Sequence, residues 1–255
     1  MMKKVCIIGI GLIGGSLAKA INKTHLSEIV FGFGRDKSRL EKALKSNVID
    51  QYSTDIGEAL DGANMVIIAT PVGSYESILK EMKPHIVEDM IISDVGSTKV
   101  SVIEAVKAVF GNTLDNFIPA HPIAGKEKIG FEVSDADLFL NRKVIITPLE
   151  NNNPDSIKIL AKMWEWVGAE VDFMTPQSHD DLLGMTSHLP HMLAFSLVNY
   201  LVSQHPEASV YAAGGFKDFS RIASGDAIMW RDICLHNRDV IVKHIKGYQL
   251  SLIHI

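Results

Sequence analysis

Gly9-Ile10-Gly11-Leu12-Ile13-Gly14 has the glycine spacing that lets a backbone turn approach a pyrophosphate. The first glycine permits the turn, the second allows close approach, and the third lets helix and strand pack tightly. Leu12 and Ile13 then open a helix whose free N–H groups and positive dipole end face the phosphates. An apolar run, Val5–Ile8, leads into the motif, and that strand–turn–helix context reads as a dinucleotide site.

Cofactor choice is read at the end of the second strand, Ile29–Phe33, which continues as Gly34-Arg35-Asp36. An NAD site usually places a carboxylate there for the ribose 2′-hydroxyl. Gly34 holds that position here with Arg35 beside it, which suits a 2′-phosphate and favours NADP. A register shifted by two residues would make Asp36 the ribose acceptor and imply NAD. Asp36 equally suits the N-cap of the next helix. Thr70 and Pro71 follow a third strand and either touch the cofactor or simply end the strand.

Two further segments follow strands and so belong at the same crevice. One is Ser93-Asp94-Val95-Gly96-Ser97-Thr98-Lys99; the other is His121-Pro122-Ile123-Ala124-Gly125-Lys126-Glu127. His121 beside a nicotinamide is placed to take a proton, with an unperturbed pKa of about 6.5. A serine hydroxyl within reach would fix its tautomer. A lone loop histidine is otherwise an ordinary surface residue. Further along, Ser187-His188-Leu189-Pro190-His191 puts His188 and His191 on one helix face, with Pro190 marking a kink. No nearby ligand completes a zinc set, and no metal is expected. Arg221, in Gly214–Arg221, could clamp a carboxylate bidentately or pair with Asp218 on the helix surface.

The elements that must position these residues alternate. Apolar runs at Val5–Ile8, Ile29–Phe33, Met65–Ala69, Met90–Ser93, Phe117–Pro119 and Val144–Thr147 are separated by helical stretches. Continuous rather than alternating apolar runs suit strands buried on both faces of a parallel sheet. The expectation is an α/β fold, a Rossmann-type doubly wound parallel sheet over residues 1–174. The helical remainder, 175–255, follows the break at Thr175-Pro176 and is expected to pack on a second subunit.

Composition agrees. Of 255 residues, 47% are hydrophobic and 22% charged, enough for a substantial core. Lys and Arg number 25 against 30 Asp and Glu, a net charge of −5 that argues against non-specific nucleic-acid binding. Cys6 and Cys234 are two isolated cysteines, which suit reduced thiols in the cytoplasm. No signal peptide is read at the N-terminus. The apolar helical run Met192–Val202 is far short of the ~20 residues of a membrane span.

Taken together, the chain resembles the prephenate/arogenate dehydrogenase family of tyrosine biosynthesis. The resemblance rests on Gly9–Ser16, Asp94–Lys99, His121–Glu127, His179-Asp180, Ser187–His191 and Gly214–Ile233. It implies an NAD(P)-dependent oxidative decarboxylation of a cyclohexadienol substrate. His121 would take the hydroxyl proton as hydride leaves the same carbon, and carbon dioxide loss would give an aromatic ring. By the same resemblance Ser97 hydrogen-bonds this histidine and Arg221 holds the substrate carboxylate. His191 and His188 bind substrate, and the helical domain makes a homodimer. Trp230 contributes to the partner's active site or is an interface aromatic. His179-Asp180 reads as structural. Many relatives continue for further helical turns beyond the position of Ile255, and the resemblance includes no regulatory or mutase domain.

Two other readings stay open. One is a β-hydroxyacid or pyrroline-carboxylate type dehydrogenase, which joins the same two kinds of domain. The other is a nicotinamide-binding sensor without turnover.

Overall fold

The computed structural model of the chain describes residues 2–126, 128 and 130–255. Glu127, the last residue of the His121 motif, lies outside them. Two compact units divide the chain, Met1–His179 and Asp180–Ile255. The division falls within a helix, Pro176–Leu183.

The first unit is built on a six-stranded sheet. Its strands are β1 (Met2–Ile8), β2 (Ser27–Phe33), β3 (Gln51–Ser53), β4 (Met65–Ile68), β5 (Ile91–Asp94) and β6 (Phe117–Ile118). They lie in the order β3-β2-β1-β4-β5-β6, and every pair is parallel. This is the doubly wound order, whose reversal between β1 and β4 opens a ligand crevice at the strands' carboxyl ends. Helices α1 (Leu12–Thr24), α2 (Lys37–Lys45), α3 (Ile56–Leu60), α4 (Tyr75–Met82) and α5 (Val100–Phe110) connect the strands.

The strands read as unbroken apolar runs because both faces are covered. Val5 and Ile7 of β1 and Met65 and Ile67 of β4 join one core. Their neighbours Cys6, Ile8, Val66 and Ile68 join the other. Each such fully buried side chain contributes about 1.5–3 kcal/mol relative to exposure.

Val144–Thr147 is not a further strand of this sheet. A second sheet carries β7 (Ala120–Pro122), β8 (Lys143–Ile146) and β9 (Glu170–Phe173), with β7 antiparallel and β9 parallel to β8. Pro119 is the reason for the switch. It has no N–H to extend the β5–β6 ladder. Its carbonyl instead accepts from Thr147 N at 2.9 Å, which turns the chain onto β8. His121 therefore lies inside a strand rather than in a loop after one. Helix α6 (Pro154–Trp166) precedes β9, with Asn153 accepting from Asp155 N as its N-cap. Helix α7 (Pro176–Leu183) follows β9.

Among its described residues the second unit is helical throughout. A π-helical turn, Gly184–His188, runs into α8 (Leu189–Gln204), with Pro190 in the first turn. Then come α9 (Gly214–Arg221), α10 (Ala227–His236) and α11 (Arg238–His254). None of the described helices is long and apolar enough to cross a membrane.

Candidate active site

The turn after β1 has the geometry a dinucleotide needs. Gly9 has φ +97°, a backbone conformation that L side chains rarely adopt. A Cβ on Gly14 would lie 2.1 Å from the Gly9 carbonyl oxygen, so only glycine lets α1 start so close to β1. Gly11 is the extended N-cap of α1, with no side-chain cap and open space where a Cβ would stand. The first N–H groups of α1 are thus left to an external acceptor, and the site fits a pyrophosphate.

At the end of β2 the carboxylate of Asp36 accepts from Arg39 N at 3.1 Å and caps α2. Gly34 is half-buried and Arg35 exposed. After β4, Ser74 Oγ lies 2.9 Å from Thr70 Oγ1 and 2.7 Å from the Pro71 carbonyl, tying that turn together.

Asp94, the last residue of β5, is the hub of the unit. Its carboxylate is fully buried and 2.6 Å from the equally buried Lys99 ammonium. It also accepts from Tyr75 Oη (3.1 Å), Gly96 N (2.8 Å) and Ala120 N (3.2 Å). Lys99 Nζ donates in turn to the Ala120 carbonyl at 2.6 Å. Burial first, and then the Asp94 charge, push the Tyr75 phenol well above its usual pKa, so it stays a donor. One ion pair therefore holds both backbone groups of the residue before His121.

The His121 ring is held separately. Its Nδ1 lies 2.9 Å from Nε2 of His179, with the rings edge to face. His179 is fully buried in α7. The structure thus gives His179, read from sequence as structural, a place against the candidate base. Ser97 is half-buried on the loop that follows β5.

The second unit gathers its own cluster. His191 stacks on Trp230 with centroids 3.8 Å apart, and His188 meets the same indole edge-on at 6.3 Å. Their hydrogen bonds set opposite polarities. His191 Nδ1 lies 2.8 Å from the Ser187 carbonyl, which can only accept, so its proton sits on Nδ1. His188 Nδ1 lies 3.0 Å from Nδ2 of Asn237, an amide that also donates to the Asp180 carbonyl at 2.9 Å. His188 Nδ1 therefore accepts, and its proton sits on Nε2. Arg221 ends α9 with its side chain exposed. Among the described residues no three His, Cys, Asp or Glu side chains converge as a metal site.

Sequence patterns singled out His121, His188 and His191, and the family resemblance Trp230. They gave no role to Asn237 or Tyr75, whose importance lies in contacts across long separations. Asp94 and Lys99 stood out only as part of a motif.

Comparison with known proteins adds to this geometry. Residues 17–173 match the family described as prephenate dehydrogenase, nucleotide-binding domain, and residues 175–255 match prephenate dehydrogenase, dimerization domain. The cyclohexadienyl dehydrogenase of Zymomonas mobilis is 33% identical over 95% of this chain and 83% of its own. The prephenate dehydrogenase of Bacillus subtilis is 36% identical over 95% of this chain, which spans 66% of that protein. A crystal structure of prephenate dehydrogenase from A. aeolicus, in complex with hydroxyphenyl propionate and NAD+, superposes with a TM-score of 0.93. It is 37% identical and covers 100% of this chain and 89% of its own. Pyrroline carboxylate reductase of Plasmodium falciparum shares the fold alone, at 14% identity and a TM-score of 0.56.

Two outcomes follow from the site geometry. Lys99→Met strands the Asp94 carboxylate in the core, so urea unfolding is expected to show a loss of about 3–5 kcal/mol. An unchanged midpoint would mean that the pair does not hold the unit. Burial lowers the His191 pKa from 6.5, outweighing the opposing bond to Ser187. The unfolded chain then binds its proton first, so stability falls as pH drops through 6.5 toward the lower folded value. A Cε1–H NMR titration should give a midpoint below 6.5; a value at or above it contradicts the assignment.

Proposed function

The chain belongs to the prephenate dehydrogenase family, and from that premise we propose how its residues carry out an oxidative decarboxylation. The substrate is a cyclohexadienol bearing a ring hydroxyl and a ring carboxylate, as in prephenate or arogenate. The observation that carries the assignment is His121, one residue beyond a backbone clamped to the carboxyl end of β5. That end of a doubly wound sheet is where the cofactor crevice opens.

A nicotinamide nucleotide bound at Gly9, Gly11, Leu12, Ile13 and Gly14 supplies the hydride acceptor. His121 takes the ring-hydroxyl proton through a neutral imidazole nitrogen, and Ser97 lies on the loop that follows β5. Departure of the ring carboxylate as carbon dioxide leaves an aromatic product and makes the step irreversible. Arg221 supplies the cation for a substrate carboxylate. His188 offers an Nε2–H donor and His191 an Nε2 acceptor, so the pair can read a carboxylate beside a hydroxyl. Trp230 sets the orientation of His191 by stacking.

NADP is the preferred cofactor in this reading. Asp36 caps α2 through one carboxylate oxygen, and Arg35 stands next to Gly34 at the strand end, where a guanidinium suits a 2′-phosphate. Thr70 and Pro71 border the same cofactor. The helical unit pairs with a second copy. Exposed apolar side chains on α8 and α11, among them Leu197, Tyr200, Tyr248 and Leu252, support that reading. The two free thiols suit the cytoplasm.

His121→Asn should lower turnover of prephenate by about 10²–10⁴-fold while cofactor affinity is kept. Unchanged turnover would remove His121 from the base role, and an unmutated protein that binds cofactor without reducing it would be a sensor. Arg35→Ala should raise the KM for NADP and leave that for NAD unchanged. An NAD preference in the unmutated protein would return Asp36 to the ribose.

A further inference from the structure

We infer that His179 is a positioning residue for the reaction, setting the tautomer of His121 so that Nε2 of His121 keeps its lone pair. The inference rests on the base assignment above and concerns a residue that assignment does not use.

Two ring nitrogens 2.9 Å apart form a hydrogen bond only if one bears a proton and the other a lone pair. Two arrangements satisfy this. If His179 Nε2 donates, His121 Nδ1 accepts and the His121 proton sits on Nε2, where it blocks base function. If His121 Nδ1 donates, His179 Nε2 accepts, and His121 Nε2 is the basic nitrogen. A base at His121 requires the second arrangement.

The same arrangement serves after proton uptake. The imidazolium then donates from Nδ1 to a neutral His179, and a charge-assisted hydrogen bond is about twice as strong as a neutral one.

Three local features direct the His179 ring. Thr175 Oγ1 accepts from Ser178 N at 3.2 Å and caps the first turn of α7. Pro176 opens the helix with a pre-set φ. His179 N donates to the Thr175 carbonyl at 2.9 Å. A capped turn delivers the imidazole, which is fully buried and so keeps its direction. His121 is then fixed twice, through the Ala120 backbone by Asp94 and Lys99, and through its ring by His179.

The test joins spectroscopy to kinetics. In the intact protein labelled with ¹⁵N-histidine, with His121 assigned by signal loss in His121→Asn, the expected neutral form carries its proton on Nδ1. His179→Leu removes the acceptor and should lower kcat by about 10²-fold with KM unchanged. His179→Gln, whose side-chain carbonyl can accept in place of Nε2, should recover most of that loss. An Nε2-protonated His121 in the intact protein overturns the inference. So does a Leu variant at full kcat, or an equal loss in Leu and Gln variants. If the Leu variant does not fold, the intact-protein spectrum and the Gln variant decide. Full turnover in His121→Asn instead overturns the base assignment, while the tautomer result stands on its own.

Discussion

A carboxylate sealed from water must find its hydrogen-bond donors inside the protein, and four converge on Asp94, three on Oδ2 and one on Oδ1. Gly96 and Lys99 donate from the loop just after Asp94, and Tyr75 and Ala120 from 19 and 26 residues away along the chain. Burying the two charges of the pair costs several kcal/mol per ion, so the pair is a poor source of net stability. What it supplies is geometry. It ties the end of β5 to α4, to the loop that carries Ser97 and to the first residue of β7. A hydrophobic pair of the same volume could fill the space, but it could not hold both the N–H and the carbonyl of Ala120.

The helical unit solves a different problem, presenting two imidazoles of opposite polarity without adding charge. The carbonyl of Ser187 forces a proton onto Nδ1 of His191, and the amide of Asn237 forces the His188 proton onto Nε2. The π-helical turn Gly184–His188 is the local irregularity that brings them together. Such turns disrupt the regular bonding ladder and recur at functional sites. Burial lowers the His191 pKa and so favours its neutral form.

Much of this was legible in the chain, and the exceptions have physical causes. β1, β4 and β5 could be read because burial on both faces leaves unbroken apolar runs, and the glycine turn because its spacing has a mechanical reason. β3, β7 and β9 were not, since Gln51–Ser53, Ala120–Pro122 and Glu170–Phe173 are interrupted by polar residues or proline and form no unbroken apolar run. The second sheet hinges on Pro119, whose effect is to end one ladder and free a carbonyl for Thr147, a pairing with no local signature. Asp36 was legible in two ways, and the structure shows the cap, through its bond from Arg39 N. His179 was visible as a motif but not as a neighbour of His121, because their contact spans 58 residues. Histidine pairs of this kind are written in the fold, not in any window of sequence.

The most direct test of the account counts two products from one reaction. With prephenate and NADP, carbon dioxide release and reduced nicotinamide are measured in the same sample. A one-to-one ratio is predicted, since hydride removal and carboxylate loss belong to a single aromatising event. Cofactor reduction without carbon dioxide, or cofactor binding with neither product, would contradict it.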